Sequence, residues 1–484
     1  MAKSADLTRP IAELAAEVQA GKLSAAELAE ASLARIRETR EFHTTLELNP
    51  DAVKEAAAVD ARIKAGEHLP LAGIPYAAKD NYLTASTHTT AASHMLEPFQ
   101  ASYESPVIER LRAAGAVLVA KTNLDAFAHG TSTENSDFGP TKNPHDPTRV
   151  PGGSSGGSAA SVALGQVTFA IGSDTGGSIR QPAALCGVVG LKPTYGLSPR
   201  TGVVAMASSA DCMGPLTRSV GDAARVLDVI AGRHPGDATT IERDPESYVV
   251  TSGNLAGLKI GLIKEYLGEG LEPEVKTQLL ALAELLKKHG AYVEEVSVPA
   301  TEQALAAYYI LVPAEVSSNL ARYDGVRYGY SSAHAQSLED TYFRSREEGF
   351  GPEAKRRIMI GTYVLSSGYY DAYYKRAQKV RTRLIEQFDA AFKHYDLLLG
   401  PTSPSPAFKI GAKAGDPLAL YLEDVMTVAA NLVGIPAISI PFGEVNRLPV
   451  GLQLMAPQRA ERRLLAAASA TESLIAHTKG GARA

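Results

Sequence analysis

The chain has 484 residues, 45% of them apolar and 21% charged, the make-up of an ordinary globular protein with room for about three average domains or one large one. That excludes a disordered chain, a collagen-like fibre and a coiled coil, and no apolar run approaches the ~20 residues a membrane-spanning helix needs. A net charge of −5 argues against a broad nucleic-acid surface, and Cys186 and Cys212 are too few for a disulfide framework and fit no zinc spacing.

The start, Met1 to Asp6, has no apolar leader core, which implies a cytoplasmic protein. Residues 1–65 read as a helical region. Ser24 and Glu27 have the spacing of a capping box, and Leu28, Ala31, Leu33 and Ile36 follow on one side of the helix they open. Residues 66–230 alternate short apolar runs bounded by Gly and Pro (Ile74 to Ala78, Ala116 to Ala120, Val167 to Gly172) with helical stretches such as Ser105 to Ala114. This alternation predicts an α/β fold with a central mixed, mostly parallel sheet covered by helices on both faces.

Further strands are predicted at Leu258 to Ile263, Tyr292 to Val298, Leu397 to Leu399, Ile435 to Ile440 and Val450 to Leu454. Helices are predicted from Glu272 to His289 and from Ala460 to about Ala476, with a frayed end after Lys479. Residues 300–385 read as a helical elaboration near a pocket or a partner, carrying 11 of the 20 tyrosines. No repeat, low-complexity segment or linker divides the chain, so residues 1–484 are expected to form one domain.

The densest signal is Pro151-Gly-Gly-Ser-Ser-Gly-Gly-Ser-Ala-Ala, followed by Ile171-Gly-Ser-Asp-Thr-Gly-Gly-Ser-Ile-Arg-Gln-Pro. So much glycine loses a large conformational entropy on ordering, which suits loops that bring backbone N–H groups close to a ligand. Two such loops flanking an apolar strand do not read as a linker. No Gly-Lys-Ser/Thr ends either loop, so neither is a P-loop. Gly152 to Gly156 has the spacing of a nucleophile elbow, but no downstream histidine stands in a telling context. Asp174-Thr175-Gly176 occurs once and lacks the Ser/Thr of an aspartic protease.

These two segments are similar to the signature of the amidase-signature hydrolases, and Gly73-Ile-Pro-Tyr-Ala-Ala-Lys-Asp-Asn81 resembles that family's lysine-bearing strand. The resemblance implies a Ser-cisSer-Lys triad on Ser178, Ser154 and Lys79. A serine hydroxyl needs a base within hydrogen-bond reach, and a lysine serves as one when desolvation lowers its pKa. The backbone N–H groups of Thr175, Gly176, Gly177 and Ser178 would then face the developing oxyanion, which explains the paired glycines.

Gly130-Thr-Ser-Thr-Glu-Asn-Ser136, the segments around Tyr308, Arg327, Arg357 and Tyr369, and Pro449-Val-Gly-Leu-Gln-Leu extend the similarity to the branch comprising the A subunits of aspartyl/glutamyl-tRNA amidotransferases. That resemblance implies a glutaminase in a heterotrimer with B and C subunits. It needs no cofactor of its own; the partner contacts most of the tRNA and uses ATP and magnesium to amidate Glu-tRNA(Gln) and/or Asp-tRNA(Asn). Glutamine is a zwitterion and needs one cation and one anion in its pocket. The resemblance places these on Arg357 and Asp424, with Tyr309 lining the pocket and Thr131 and Ser132 beside it. Arg356 precedes Arg357, so the register can be read one residue off. Leu124-Asp-Ala-Phe-Ala-His-Gly departs from the usual Met-Asp-Glu-Phe-Ala-Met-Gly, and Pro313 stands in a helix normally free of proline. The alternatives are a stand-alone amidase for small aliphatic or aryl amides and a noncatalytic scaffold, the latter expecting a broken triad.

Overall fold

The computed structural model describes residues 6–250 and 253–481. Eleven strands form one sheet: β1 (Thr45–Leu48), β2 (Pro75–Lys79), β3 (Val117–Thr122), β4 (Phe169–Asp174), β5 (Val189–Lys192), β6 (Cys212–Thr217), β7 (Lys259–Ile263), β8 (Tyr292–Val296), β9 (Leu397–Pro401), β10 (Ala437–Val445) and β11 (Leu448–Met455). Their spatial order is β1-β3-β2-β4-β6-β5-β10-β11-β9-β7-β8, and helices flank the sheet.

The sheet is mixed, but not mostly parallel. Six of its ten pairings are antiparallel, and the parallel ones fall in two groups, β3-β2-β4 and β9-β7-β8. A hairpin accounts for part of the difference. β10 turns into β11 through Asn446 and Arg447, both at positive φ (52° and 65°), the conformation of a two-residue turn that returns the chain antiparallel. The short strands β5 and β6 carry glycine and proline (Val189-Gly-Leu-Lys and Cys212-Met-Gly-Pro-Leu-Thr) and gave no strand signal. They fill the centre and run antiparallel to their neighbours.

The capping box at Ser24 forms as its spacing predicts, the Ser24 side chain accepting from the Glu27 N–H and the Glu27 carboxylate from the Ser24 N–H. The first 65 residues are not helix alone, because Thr45–Leu48 pairs with β3 at the edge of the sheet. The C-terminal helix runs on through Gly481; 482–484, part of the expected frayed end, lie outside the described residues. One connected set of buried apolar side chains extends from Leu7 to Ile475. Among the described residues, no helix is long and apolar enough to cross a membrane, and both cysteines are free and buried.

Residues 300–385 fold mainly into the helices Ala304–Asn319, Leu338–Gly349, Pro352–Leu365 and Tyr374–Phe392. Pro313 lies within the first of these without ending it. The third presses on that helix so closely that a Cβ at Gly361 would collide with the Pro313 carbonyl oxygen. Backbone meets backbone there, so no rotamer change can relieve the clash. Gly361→Ala is therefore expected to cost about 1–3 kcal/mol, read as a lower urea midpoint at unchanged slope; an unchanged midpoint would show that the two helices separate freely.

Candidate active site

Because β2, β3 and β4 are parallel, their C-terminal ends meet at one edge of the sheet, where α/β folds gather their functional loops. All three strands are buried throughout, which is why they read as continuous apolar runs. β2 delivers Lys79 to this edge, and β4 delivers Ser173 and Asp174. The glycine-serine loop before the helix Gly156–Ala163 brings Ser154, and the loop after β4 brings Ser178.

Lys79 is fully buried, at 0% exposure. Its amine lies 2.7 Å from Ser154 Oγ and 3.0 Å from Ser173 Oγ, and Asn81 Nδ2 donates to the same Ser173 hydroxyl at 3.0 Å. Desolvation pulls the Lys79 pKa down to about 7, with the charges of Asp125, Asp174 and Asp211 opposing it. A surface lysine would have none of these properties. The Gly153–Ser154 peptide is cis. Ser155 N–H donates to the Ser178 carbonyl at 3.1 Å, tying the two loops together. Ser178 Oγ takes no hydrogen-bond partner among the described residues, and the residue is buried, at 8% exposure.

Asp174 organises the loop that carries Ser178. Burial alone would raise its pKa, but the Arg180 guanidinium outweighs this and holds it at about 2. Arg180 Nε and Nη2 meet its two carboxylate oxygens at 3.0 and 2.9 Å, and Asn431 Nδ2 donates to Asp174 Oδ1 at 2.9 Å. The Gly177 N–H also donates to Asp174 Oδ1, at 2.9 Å. That amide is therefore occupied, and the expected oxyanion donors reduce to Thr175, Gly176 and Ser178. Gly177 must be glycine, since at φ +139° a Cβ would collide with Thr427 Oγ1. Thr175 Oγ1 donates to Asp211 at 2.7 Å, and burial raises the Asp211 pKa to about 6.

A second group of side chains adjoins this loop. Thr427 Oγ1 donates to the Gly176 carbonyl at 2.5 Å, and Thr427 N–H donates to the Asp424 carbonyl at 3.0 Å. Tyr309 OH donates to Asp424 Oδ2 at 2.9 Å. Burial lifts the Asp424 pKa to about 7, against the pull of the Tyr309 hydrogen bond and the Arg357 charge. Arg357, at 2% exposure, lies over the Tyr309 and Tyr421 rings, 5.4 and 5.6 Å from their centroids; those rings stack at 4.0 Å. Its Nε donates to Glu353 Oε1 at 2.9 Å, and Tyr421 OH donates to the same oxygen at 2.8 Å. Arg356 points outward with a side chain 41% exposed, so Arg357 is the inward residue of the pair.

Thr131 is placed differently from the others. It is fully buried, and its carbonyl and hydroxyl both accept from Gln181 Nε2 at 3.1 Å, while Gln181 Oε1 accepts the Gly153 N–H at 2.9 Å. Thr131 thus braces the glycine loop from behind. Asp125 holds its own loop, accepting from the N–H groups of Ser132, Thr133 and Asn135 at 3.3, 2.9 and 3.2 Å.

Sequence reasoning overlooked several members of this site. Glu353 is legible in hindsight, four residues before Arg357 on one helix, and Ser173 and Arg180 lie inside the quoted motif. Asp211, Thr427, Tyr421 and Asn431 carry no local signal; only the fold brings them here.

The chain is similar to known proteins over nearly its whole length. The chain is 51% identical over 473 residues to the A subunit of the glutamyl-tRNA(Gln) amidotransferase of Geobacillus thermodenitrificans, covering 97% of this chain and 98% of that protein. The solved structure of the corresponding A subunit of glutamyl-tRNA(Gln) amidotransferase from Thermotoga maritima superposes with a TM-score of 0.79 at 40% identity, covering 97% of this chain and 95% of that one. The peptide amidase of Stenotrophomonas maltophilia superposes with a TM-score of 0.81 at 34% identity, over 96% of each chain. The family model described as Amidase matches residues 27–465, which include every residue of the site described above, and the chain belongs to the amidase family.

Proposed function

We propose that this chain is the glutamine-hydrolysing subunit of a tRNA-dependent amidotransferase. The observation that carries the reading is a buried cation and a buried carboxyl, Arg357 and Asp424, on an aromatic wall joined through Thr427 to the loop of Ser178. Free glutamine presents a carboxylate and an ammonium at one end and an amide at the other, and this arrangement answers all three. The full-length similarity to relatives named as amidotransferase A subunits supports the same reading.

In this reading neutral Lys79 takes the Ser154 hydroxyl proton while Ser154 takes that of Ser178. Ser178 Oγ attacks the side-chain carbonyl of glutamine, and the amides of Thr175, Gly176 and Ser178 receive the oxyanion. The proton returns through Ser154 to the leaving nitrogen, ammonia departs, and water cleaves the glutamyl ester to glutamate. Each oxyanion donor is worth roughly 10²–10³ in rate and the base about 10²–10⁴, so neither loop suffices alone. Tyr309 and Asp424 hold the substrate ammonium, Arg357 its carboxylate, and Thr131 keeps the glycine loop in place.

The ammonia passes to B and C subunits of a cytoplasmic heterotrimer, which amidate Glu-tRNA(Gln) and/or Asp-tRNA(Asn). ATP and magnesium act on the partner, which also makes most of the tRNA contact, in keeping with the net charge of −5 here. The test is ammonia release from glutamine and from a simple aliphatic amide, by the chain alone and co-purified with B and C. Partner-stimulated release from glutamine is expected. Partner-independent turnover of the aliphatic amide, with glutamine untouched, would instead make this a free-standing amidase.

A further inference from the structure

The loop that holds Thr131 also holds a histidine without a partner among the described residues. His129 is fully buried, and neither ring nitrogen finds a hydrogen-bond partner among the described residues. Buried polar atoms in folded proteins are nearly always paired, so two orphans on one ring call for an explanation. The ring has not drifted there by chance of a soft loop. Phe127 and Ala128, immediately before it, sit in the left-handed region at φ 54° and 64°, which side-chain-bearing residues seldom adopt unless the surroundings impose it.

Those surroundings are visible. The His129 N–H donates to the Ala126 carbonyl at 3.0 Å, and its own carbonyl accepts from Asn135 Nδ2 at 3.0 Å. Phe127 is wedged against Phe350 and Tyr323, 5.4 and 5.3 Å between ring centroids, and the imidazole lies 6.2 Å from the Phe127 ring. Phe350 stands just ahead of the helix Pro352–Leu365 that carries Arg357. The segment is thus packed against the start of that helix, with the imidazole buried. Burial and the nearby Arg357 charge keep the ring neutral, so it offers one N–H and one lone pair.

A ligand group that can satisfy the Arg357 guanidinium and an imidazole N–H together is a carboxylate. We propose that His129 is a substrate-binding residue, its ring N–H donating to the α-carboxylate of the glutamine that Arg357 neutralises. This rests on the glutaminase reading and deepens it: the carboxylate end is read by two donors of different shape, and an amide lacking that carboxylate leaves His129 unpaired.

The experiment uses the complex with B and C subunits and two substrates, glutamine and 4-aminobutanamide, which keeps the amide and the ammonium but has no carboxylate. His129→Met is expected to raise KM for glutamine about 10- to 100-fold, the range of a hydrogen bond to a charged group. Its kcat should stay within about 3-fold, and KM for 4-aminobutanamide should not move. His129→Gln, which restores an N–H donor, should recover most of the glutamine affinity. An unmoved KM for glutamine in His129→Met, or an equal rise for both substrates, would overturn the assignment alone. A wild-type complex inert towards glutamine would overturn the glutaminase reading and this assignment with it.

Discussion

Ser178→Ala is expected to lower ammonia release from glutamine by about 10⁴–10⁶-fold, because it removes the nucleophile and leaves only binding and the oxyanion donors. Lys79→Met is expected to fall nearly as far, and Lys79→Arg with it, since a guanidinium cannot give up its proton near neutral pH. Lost folding is not expected to account for the loss in Lys79→Met. Burial lowers the Lys79 pKa from its ordinary value to about 7, so between about pH 7 and 10 the unfolded chain binds a proton there that the folded chain does not. Stability contributed by this group therefore rises with pH across that window and is lowest below it. Lys79→Met removes that penalty and is expected to unfold at no lower urea concentration than wild type at pH 7.

The same lowered pKa sets the pH profile. In the proposed mechanism Lys79 works when neutral, so kcat/KM is expected to climb about tenfold per pH unit below about 7 and to level above it. Asp424, raised to about 7 by burial, would have to be ionised to hold the substrate ammonium as proposed, and is expected to steepen the acid limb further. Rates measured from pH 5.5 to 8.5 decide this, and a flat profile would remove Lys79 as the base.

Arg357→Ala is expected to raise KM for glutamine by about 10²–10³-fold, the usual consequence of truncating one partner of a buried charge pair, with little change in turnover of a simple aliphatic amide. The two-substrate comparison matters because Glu353 loses its 2.9 Å partner at the same time. Glu353 keeps the Tyr421 hydroxyl on the same oxygen at 2.8 Å and the Arg356 guanidinium on the other, so its charge stays paired. A double variant, Arg357→Met with Glu353→Gln, is expected to leave glutamine affinity as low as Arg357→Ala does. Equal losses on both amides would mean that Arg357 supports the site rather than reading the substrate.

Much of the site is legible in the sequence because its chemistry is local. Ser154 and Ser178 lie in glycine-rich loops on either side of one apolar strand, and Lys79 closes another such strand, so motif and periodicity point to them together. The Ser24 capping box and most long helices are visible for the same reason, their signals spanning a few residues. Tertiary structure decided the rest. Whether strands pair parallel or antiparallel depends on which distant segments meet, and the hairpin at Asn446-Arg447 and the central β5 and β6 shift the sheet away from a parallel majority. Only packing turns Arg357 inward and Arg356 out, commits the Gly177 amide to Asp174, draws Asp211 and Thr427 to the loop, and sets Tyr421 against Arg357. By itself the sequence determined which groups the proposed chemistry draws on, since a nucleophile, its relay and its base must be particular residue types in particular local settings. Which amides and charges remain free to meet a substrate was decided by the tertiary structure, because a polar group is available only when no distant partner has already taken it.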